Sequence, residues 1–466
     1  MKRVWRGIAV APSLVPTLLV DRAGRAPTSL GRRDVFISGL AIALALVTVP
    51  VAEVLVRAIA FVTNLAYFGR ISIGEAAPRD HQLGTWAVIV PIVGGIVVGI
   101  MARYGSRAIR GHGIPEAMEQ ILTNESRIPK KITFLKPLSA AIAIGTGGPF
   151  GAEGPIIATG GALGSAIGQL IRGVTANERK VLLAAGAAAG MTAIFGTPIA
   201  AVLLAIELLL TEYSARTVAP VALACAVAGG FRAALHGTGA VFVVPPLDNP
   251  TTASVIVATL AGGIVGVAST VITRLVYAVE DGFEKLHRIH WMWWPALGGI
   301  AVGVIGLWVP RTLGVGYDNI TTAVGGGFAI ATLATLAFAK WISWTIALGS
   351  GTSGGTLAPL LTLGAAAGYL IAVAIARVFP AEAIDPRVAA LVGMAAMFAG
   401  ASRALLASIA FALESTQEIH AVVPIVGGVT LAYFASAMLM RTTIMTEKLA
   451  RRGVDAESEM VVDVAS

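Results

Sequence analysis

Long apolar stretches separated by short charged clusters dominate the chain. Runs free of Asp, Glu, Lys and Arg occupy 35–52, 81–102, 154–171, 181–206, 249–273, 289–310, 319–339, 341–376 and 419–440, and each holds 18 residues or more. About 20 residues of helix cross a hydrocarbon layer of about 30 Å, so each run is long enough to span. Shorter runs at 137–152, 217–231 and 404–413 cannot cross upright, and Gly or Pro interrupts the first two. They predict tilted or half-crossing helices. Backbone polar groups in lipid must be satisfied internally, which leaves helices as the element that fits runs of this length. The pattern predicts an all-α polytopic membrane protein.

Composition sharpens this. Only 13% of the 466 residues are charged and 56% are hydrophobic, against about 25% charged in soluble domains. With a mean hydropathy of +0.81, a water-soluble enzyme of several domains is excluded. The one cysteine, Cys225, excludes a disulfide framework, an iron–sulfur cluster and a multi-cysteine zinc site. The formal charge is +8, and residues 1–33 carry Lys2, Arg3, Arg6, Arg22, Arg25, Arg32 and Arg33 against Asp21 alone. The positive-inside rule places that basic segment, 1–34, in the cytoplasm. A cleaved signal peptide also fits the apolar 8–20 after a basic start, but Pro12 and Pro16 interrupt it. Residues 441–466 mix Arg441, Lys448, Arg451 and Arg452 with five acids and read as a cytoplasmic helix and tail.

The chain also repeats itself. An offset of 204 lays 145–168 on 349–372, matching Gly145/Gly349, Gly147/Gly351, Gly151/Gly355, Pro155/Pro359, Gly160/Gly364, Ala162/Ala366, Gly164/Gly368 and Ile167/Ile371. An offset of 203 then pairs 190–195 with 393–398. Two transmembrane repeats follow, 35–236 and 252–440, joined by a linker at 237–251. An odd number of crossings per repeat makes them inverted, with broken and half-crossing helices. Paired interruptions in corresponding halves are the best sequence pointer to a transport site near the midplane.

The interruptions carry their own chemistry. Gly151, Gly154 and Pro155 in one half, and Gly355 and Pro359 in the other, put glycine before and proline within a plausible first helical turn. A helix that starts inside the membrane exposes unpaired N–H groups and the positive end of its dipole, which suits an anion. Desolvating a bare anion costs tens of kcal/mol in an apolar medium, so several donors must converge. Glu153 is the one acid between Lys136 and Arg172, and an ionisable residue at that depth is a functional candidate by default. Its carboxylate can compete for the site of a permeant anion, and protonation would release it. The plainer alternative is a glutamate capping its own helix.

These motifs resemble the ClC family of chloride channels and chloride/proton exchangers over about 35–452. Gly111-His112-Gly113-Ile114-Pro115, Gly151-Ala152-Glu153-Gly154-Pro155 and Gly355-Thr356-Leu357-Ala358-Pro359 resemble its three anion-site motifs, supported by 195–207, 313–320 and 393–414. The resemblance implies a homodimer with one anion pathway per subunit, Glu153 as the gate, and anion contacts from His112, Gly113, Ile114, Thr356 and Leu357. It further implies a dimer face from 198–236 and 404–440. Chloride, with protons in an exchanger, would be the substrate; no cofactor, nucleotide or nucleic acid is implied. A multi-pass protein of the plasma membrane, a bacterial inner membrane, with both termini cytoplasmic is the corresponding placement.

Three departures bear on mechanism. His112 stands where the family usually has a serine hydroxyl, and its N–H donates in either protonation state. Met445 takes the place of the usual anion-binding tyrosine, and a thioether donates no hydrogen bond. The internal glutamate of many exchangers falls on Leu208; Glu207 lies about 100° around the helix and Glu212 one turn on, so both are possible proton relays or structural acids. This leaves antiport and a passive channel both open.

Weaker patterns remain. Asp281, Glu284, His287 and His290 are at helical spacing for a metal, but Trp291, Trp293 and Trp294 beside them mark a membrane interface instead, and no metal is expected. The glycine runs lack the following Lys-Ser or Lys-Thr of a nucleotide loop. Gly351-Thr352-Ser353-Gly354 fits an intramembrane serine protease, which requires a histidine base beside Ser353. No enzyme is expected.

Overall fold

The computed structural model describes residues 31–210 and 213–454, and their regular structure is helical apart from two isolated β-bridges. The expectations for the basic N-terminus, for Glu212 and for the tail beyond 454 lie outside the described residues. The first half comprises α1 (Arg32–Phe68), α2 (Ile89–Ile100), α3 (Ile114–Thr123), α4 (Lys130–Gly145), α5 (Glu153–Leu170), α6 (Ala176–Phe195), α7 (Pro198–Leu204) and α8 (Ala215–His236). The second comprises α9 (Thr252–Glu284), α10 (Trp294–Trp308), α11 (Tyr317–Val324), α12 (Ile330–Gly349), α13 (Leu357–Val378), α14 (Pro386–Ser402), α15 (Leu405–Thr416) and α16 (Val422–Leu439). A short α17 (Glu447–Arg451) follows. Among the described residues, eight helices are long and apolar enough to cross a membrane.

The eight helices of one half recur in order in the other, and they pack alike. The pairs α5 with α6 and α13 with α14 are the most extensive contacts, and α1 with α8 matches α9 with α16. Glycines let these backbones touch: a Cβ at Gly160 or Gly186 would strike the other's carbonyl, as would one at Gly364 or Gly393. Small residues at such crossings are what lipid-embedded helices use in place of a hydrophobic driving force.

Mates that meet across the halves run antiparallel, which makes the repeats inverted. In α2 and α10, Gly99 abuts the Met292 carbonyl and Gly303 the Val88 carbonyl, end against beginning. In α7 and α15 the capping is reciprocal. The Glu207 carboxylate, past the end of α7, accepts the backbone N–H of Leu406 and Ala407 at 2.8 and 2.9 Å. The Glu414 carboxylate, near the end of α15, accepts those of Ile199 and Ala200 at 3.0 and 2.8 Å. Each acid satisfies orphan donors at the start of the other helix and sits at its positive end.

Two readings of the sequence need adjustment. The apolar runs 181–206, 319–339 and 341–376 are not single spans, because α6 stops at Phe195 before Pro198, α11 stops at Val324 before α12, and α12 stops at Gly349 before α13. Absence of charge marks lipid-compatible chain but not helix continuity. Beyond α5 the 203 offset is one helical turn out of phase. The packing pairs Gly186 with Gly393 and Glu207 with Glu414, an offset of 207, since Gly160 meets Gly186 whereas Gly364 meets Gly393. A longer α13 and a longer connection to α14 account for the shift.

Candidate functional site

Four helices begin at one place inside the fold: α3 at Ile114, α5 at Glu153, α11 at Tyr317 and α13 at Leu357. Backbone bonds tie their leading loops together. Gly151 and Gly355 exchange hydrogen bonds at 3.2 and 3.0 Å, Gly111 donates to the Thr352 carbonyl at 3.3 Å, Gly354 to that of Gly111 at 3.4 Å, and Gly314 to that of Gly147 at 3.0 Å. The interruptions at 151–155 and 355–359 are therefore in direct contact. Gly113, with φ 98°, turns the chain into α3 where a Cβ would overlap the Gly154 carbonyl; Gly316, with φ 71°, does the same before α11. Glycine alone adopts these values without strain.

Two lysines hold the paired loops. The Lys136 ammonium donates to the carbonyls of Ile109 and Gly111 at 2.9 and 2.8 Å. The Lys340 ammonium donates to those of Thr312 and Gly314, both at 3.0 Å. Both side chains are buried. They are repeat mates at the offset of 204, as are Gly111 and Gly314 at 203, so each half clasps the loop before its short helix in the same way. Sequence reading passed over both pairs, although the repeat offset already aligned them.

The Glu153 side chain is fully buried at the start of α5, and neither carboxylate oxygen has a hydrogen-bond partner among the described residues. It faces its own backbone N–H and that of Ala358 in the first turn of α13, and the Lys340 ammonium supplies an opposing charge. The carboxylate thus faces the starts of both α5 and α13. The N–H groups of Thr356 and Leu357, at the start of α13, have no acceptor within that helix. Pro155 and Pro359 sit in the first turns of α5 and α13, where a missing N–H costs nothing.

His112 is buried, its Nδ1 lacks a partner, and the charges around it are Glu116, Lys448 and Lys136. The Gly113 N–H donates to the Glu116 carboxylate at 2.6 Å, so that amide is already occupied; Ile114, buried, opens the helix. Met445 is buried ahead of α17, its N–H bonded to the Thr443 hydroxyl. Three residues on, Lys448 lies 3.7 Å from Glu116, which couples this end of the chain to α3. Arg452 pairs with Glu119, and Arg451 with Asp281 and Glu447. A cavity of about 690 Å³ reaches from Gly113 and Lys136 out past Arg110, Trp294 and Lys448.

Other candidates fall elsewhere. Glu207 is held in the α15 cap described above. Asp281 is paired with Arg451, and no group of three or more His, Cys, Asp or Glu among the described residues is placed to hold a metal. The Ser353 hydroxyl accepts from Ser139 at 3.1 Å, with no histidine bonded to it among the described residues.

Comparison with known proteins places this arrangement. Residues 93–437 match the family described as voltage gated chloride channel. The chain is 29% identical over 385 residues to the H(+)/Cl(-) exchange transporter ClcA of Vibrio campbellii, covering 79% of this chain and 82% of that one. It is 31% identical over 403 residues to the chloride channel protein CLC-f of Arabidopsis thaliana, covering 80% and 50%. A slow cyanobacterial Cl-/H+ antiporter structure superposes with a TM-score of 0.79 at 22% identity, covering 91% of this chain and 99% of that one. A CLC-type fluoride/proton antiporter gives 0.68 at 20%, covering 88% and 97%. At such identities the structural likeness is one of fold.

Proposed function

The chain belongs to the voltage gated chloride channel family, and from that premise we propose that it exchanges chloride for protons across a bacterial inner membrane, with Glu153 as the gate. The observation that carries the reading is a buried carboxylate, without hydrogen-bond partners among the described residues, at the junction of helix N-termini from both repeats. Backbone N–H groups and dipole ends gathered there replace the water an anion loses. While ionised, Glu153 occupies the positive end of α13 itself; once protonated it gives up that attraction and leaves the place to chloride. His112, Ile114, Thr356 and Leu357 are the further contacts of this reading, with Met445 at its inner edge. Relatives named as H(+)/Cl(-) exchangers support the coupling.

A passive chloride channel is the second reading, and one observation favours it. Leu208 cannot carry a proton, and its neighbour Glu207 spends its carboxylate on two α15 amides. A proton route from the inner face then has no acid at that position. Apolar side chains exposed on α7, α8, α15 and α16, among them Ile199, Leu223, Leu406 and Val423, support a homodimer through this face.

Purified protein in liposomes, read for chloride efflux and internal pH together, separates the two. Exchange predicts proton uptake that stops in Glu153→Gln while chloride flux persists, and flux rising as pH falls in the native chain. Efflux without proton movement establishes the channel, and absence of anion flux defeats both.

A further inference from the structure

Tyr317 opens α11 at the same junction, and its hydroxyl is the anomaly. The ring is fixed against Phe195 at 5.7 Å and Phe242 at 6.2 Å between centroids, while Phe195 in turn packs edge-on against Phe411 at 4.9 Å. The hydroxyl oxygen at the ring's tip is buried and has no hydrogen-bond partner among the described residues. It faces the backbone N–H of Ala152 and the field of the Glu153 carboxylate without bonding to that carboxylate. A buried O–H normally finds an acceptor, because leaving one unsatisfied is costly. Here aromatic packing holds a free donor near a buried carboxylate that itself has no hydrogen-bond partner among the described residues.

The repeat shows why the donor stands at this position. Gly111-His112-Gly113-Ile114 in the first half matches Gly314-Val315-Gly316-Tyr317 in the second. The first half carries its side-chain donor on His112, and Val315 in the corresponding place has none. Tyr317, two residues on, takes the place of apolar Ile114. The Met445 thioether, which stands in the place of the tyrosine usual in the family, donates nothing.

We propose that Tyr317 is a specificity-determining residue of the anion pathway, its hydroxyl donating a hydrogen bond to the permeant anion on the Glu153 side of the site. This rests on the anion-transport reading above. An O–H donor favours small anions of concentrated charge, so the bond is worth most to fluoride, less to chloride and least to bromide. When Glu153 is ionised at the site the hydroxyl is idle; when an anion replaces the carboxylate, the hydroxyl supplies a ligand that backbone amides alone do not.

The test is Tyr317→Phe, which keeps the ring and removes only the oxygen. Binding of fluoride, chloride and bromide to the full chain in detergent is measured by titration calorimetry, alongside halide efflux from liposomes, and the unfolding temperature confirms an intact fold. Loss of a hydrogen bond to a charged partner predicts chloride binding weakened about tenfold or more, with a larger loss for fluoride and a smaller one for bromide. Unchanged affinities overturn the assignment, and so does an equal loss for all three anions, which marks altered packing. A native chain that binds and moves no anion refutes the transport reading and this assignment with it, whereas native transport with an indifferent variant refutes this assignment alone.

Discussion

The two helix breaks share a backbone and differ in their side chains. In both, a glycine loop precedes a short helix, a buried lysine clasps that loop through two carbonyls, and a longer helix starts nearby. Yet the first half presents His112 and Glu153 to the junction, where the second presents Val315 and Leu357. The second presents Tyr317, where the first has Ile114. Ser139 of α4 bonds Ser353, whereas its mate Ser343 has no partner among the described residues. An inverted pair built from identical halves would treat both membrane faces alike. Placing the carboxylate and the imidazole in one half and the phenol in the other gives the pathway an inside and an outside without disturbing the scaffold that gathers the helix ends.

The largest effects should come from the shared scaffold. Lys136→Met and Lys340→Met each leave two buried carbonyls unsatisfied, at about 1–3 kcal/mol per group, so each should lower the unfolding temperature in detergent by a similar margin. Only Lys340 has Glu153 among its charged neighbours, so only Lys340→Met should also move the pH at which flux rises. Equal pH profiles would break the distinction between the halves.

Gly355→Ala ranks next. A Cβ there would lie 2.6 Å from the Gly151 carbonyl oxygen and 2.9 Å from a Glu153 carboxylate oxygen. Overpacking costs about 1–3 kcal/mol, and halide titration should show weakened binding because the bridge between the breaks must part. Retained binding with native stability would mean the contact tolerates separation.

The capping pair gives a smaller effect and a cleaner symmetry test. Glu207→Gln and Glu414→Gln should each cost about 0.5–2 kcal/mol, the range for losing a cap, and in equal measure by chemical denaturation. Proton coupling abolished by Glu207→Gln but kept in Glu414→Gln would assign Glu207 a role beyond its cap.

The smallest effect lies outside the repeats, at α17. Burial raises the Glu447 carboxyl, but hydrogen bonds from Thr442 and Arg451 outweigh it and hold the group below its ordinary range. A depressed folded value adds stability above the unfolded value of about 4.3 and loses it as pH falls through the folded one. Protection factors for hydrogen exchange of 441–454, which remove the intrinsic pH dependence of the exchange rate, should therefore be level from pH 6 to 8 and fall only in acid below the usual carboxylate range; a fall near pH 7 would assign the clasp to another group.

Much of this was readable from residue order, and the failures have a common cause. Glu153 and the glycines around it stood out because an acid and flexible backbone are anomalous within lipid-compatible chain. Lys136 and Lys340 did not, since a lysine reads as a helix end until its ammonium is seen bonded to carbonyls more than twenty residues away. For Glu207 the chain leaves relay and structural acid both open, and the cap is visible only when the start of α15 is laid against it. Gly190 aligns with Gly393 in the sequence because alanine-rich helices match themselves at several offsets.

By itself the order of residues determined a membrane-spanning helical chain, its duplication and the two interrupted segments, because hydropathy and glycine–proline placement act locally along the backbone. Tertiary structure alone decided the antiparallel relation of the halves, the phase of the repeat beyond α5, and which polar groups remain unpartnered at the junction. Those depend on contacts between residues some two hundred positions apart, where a slip of one turn exchanges every neighbour.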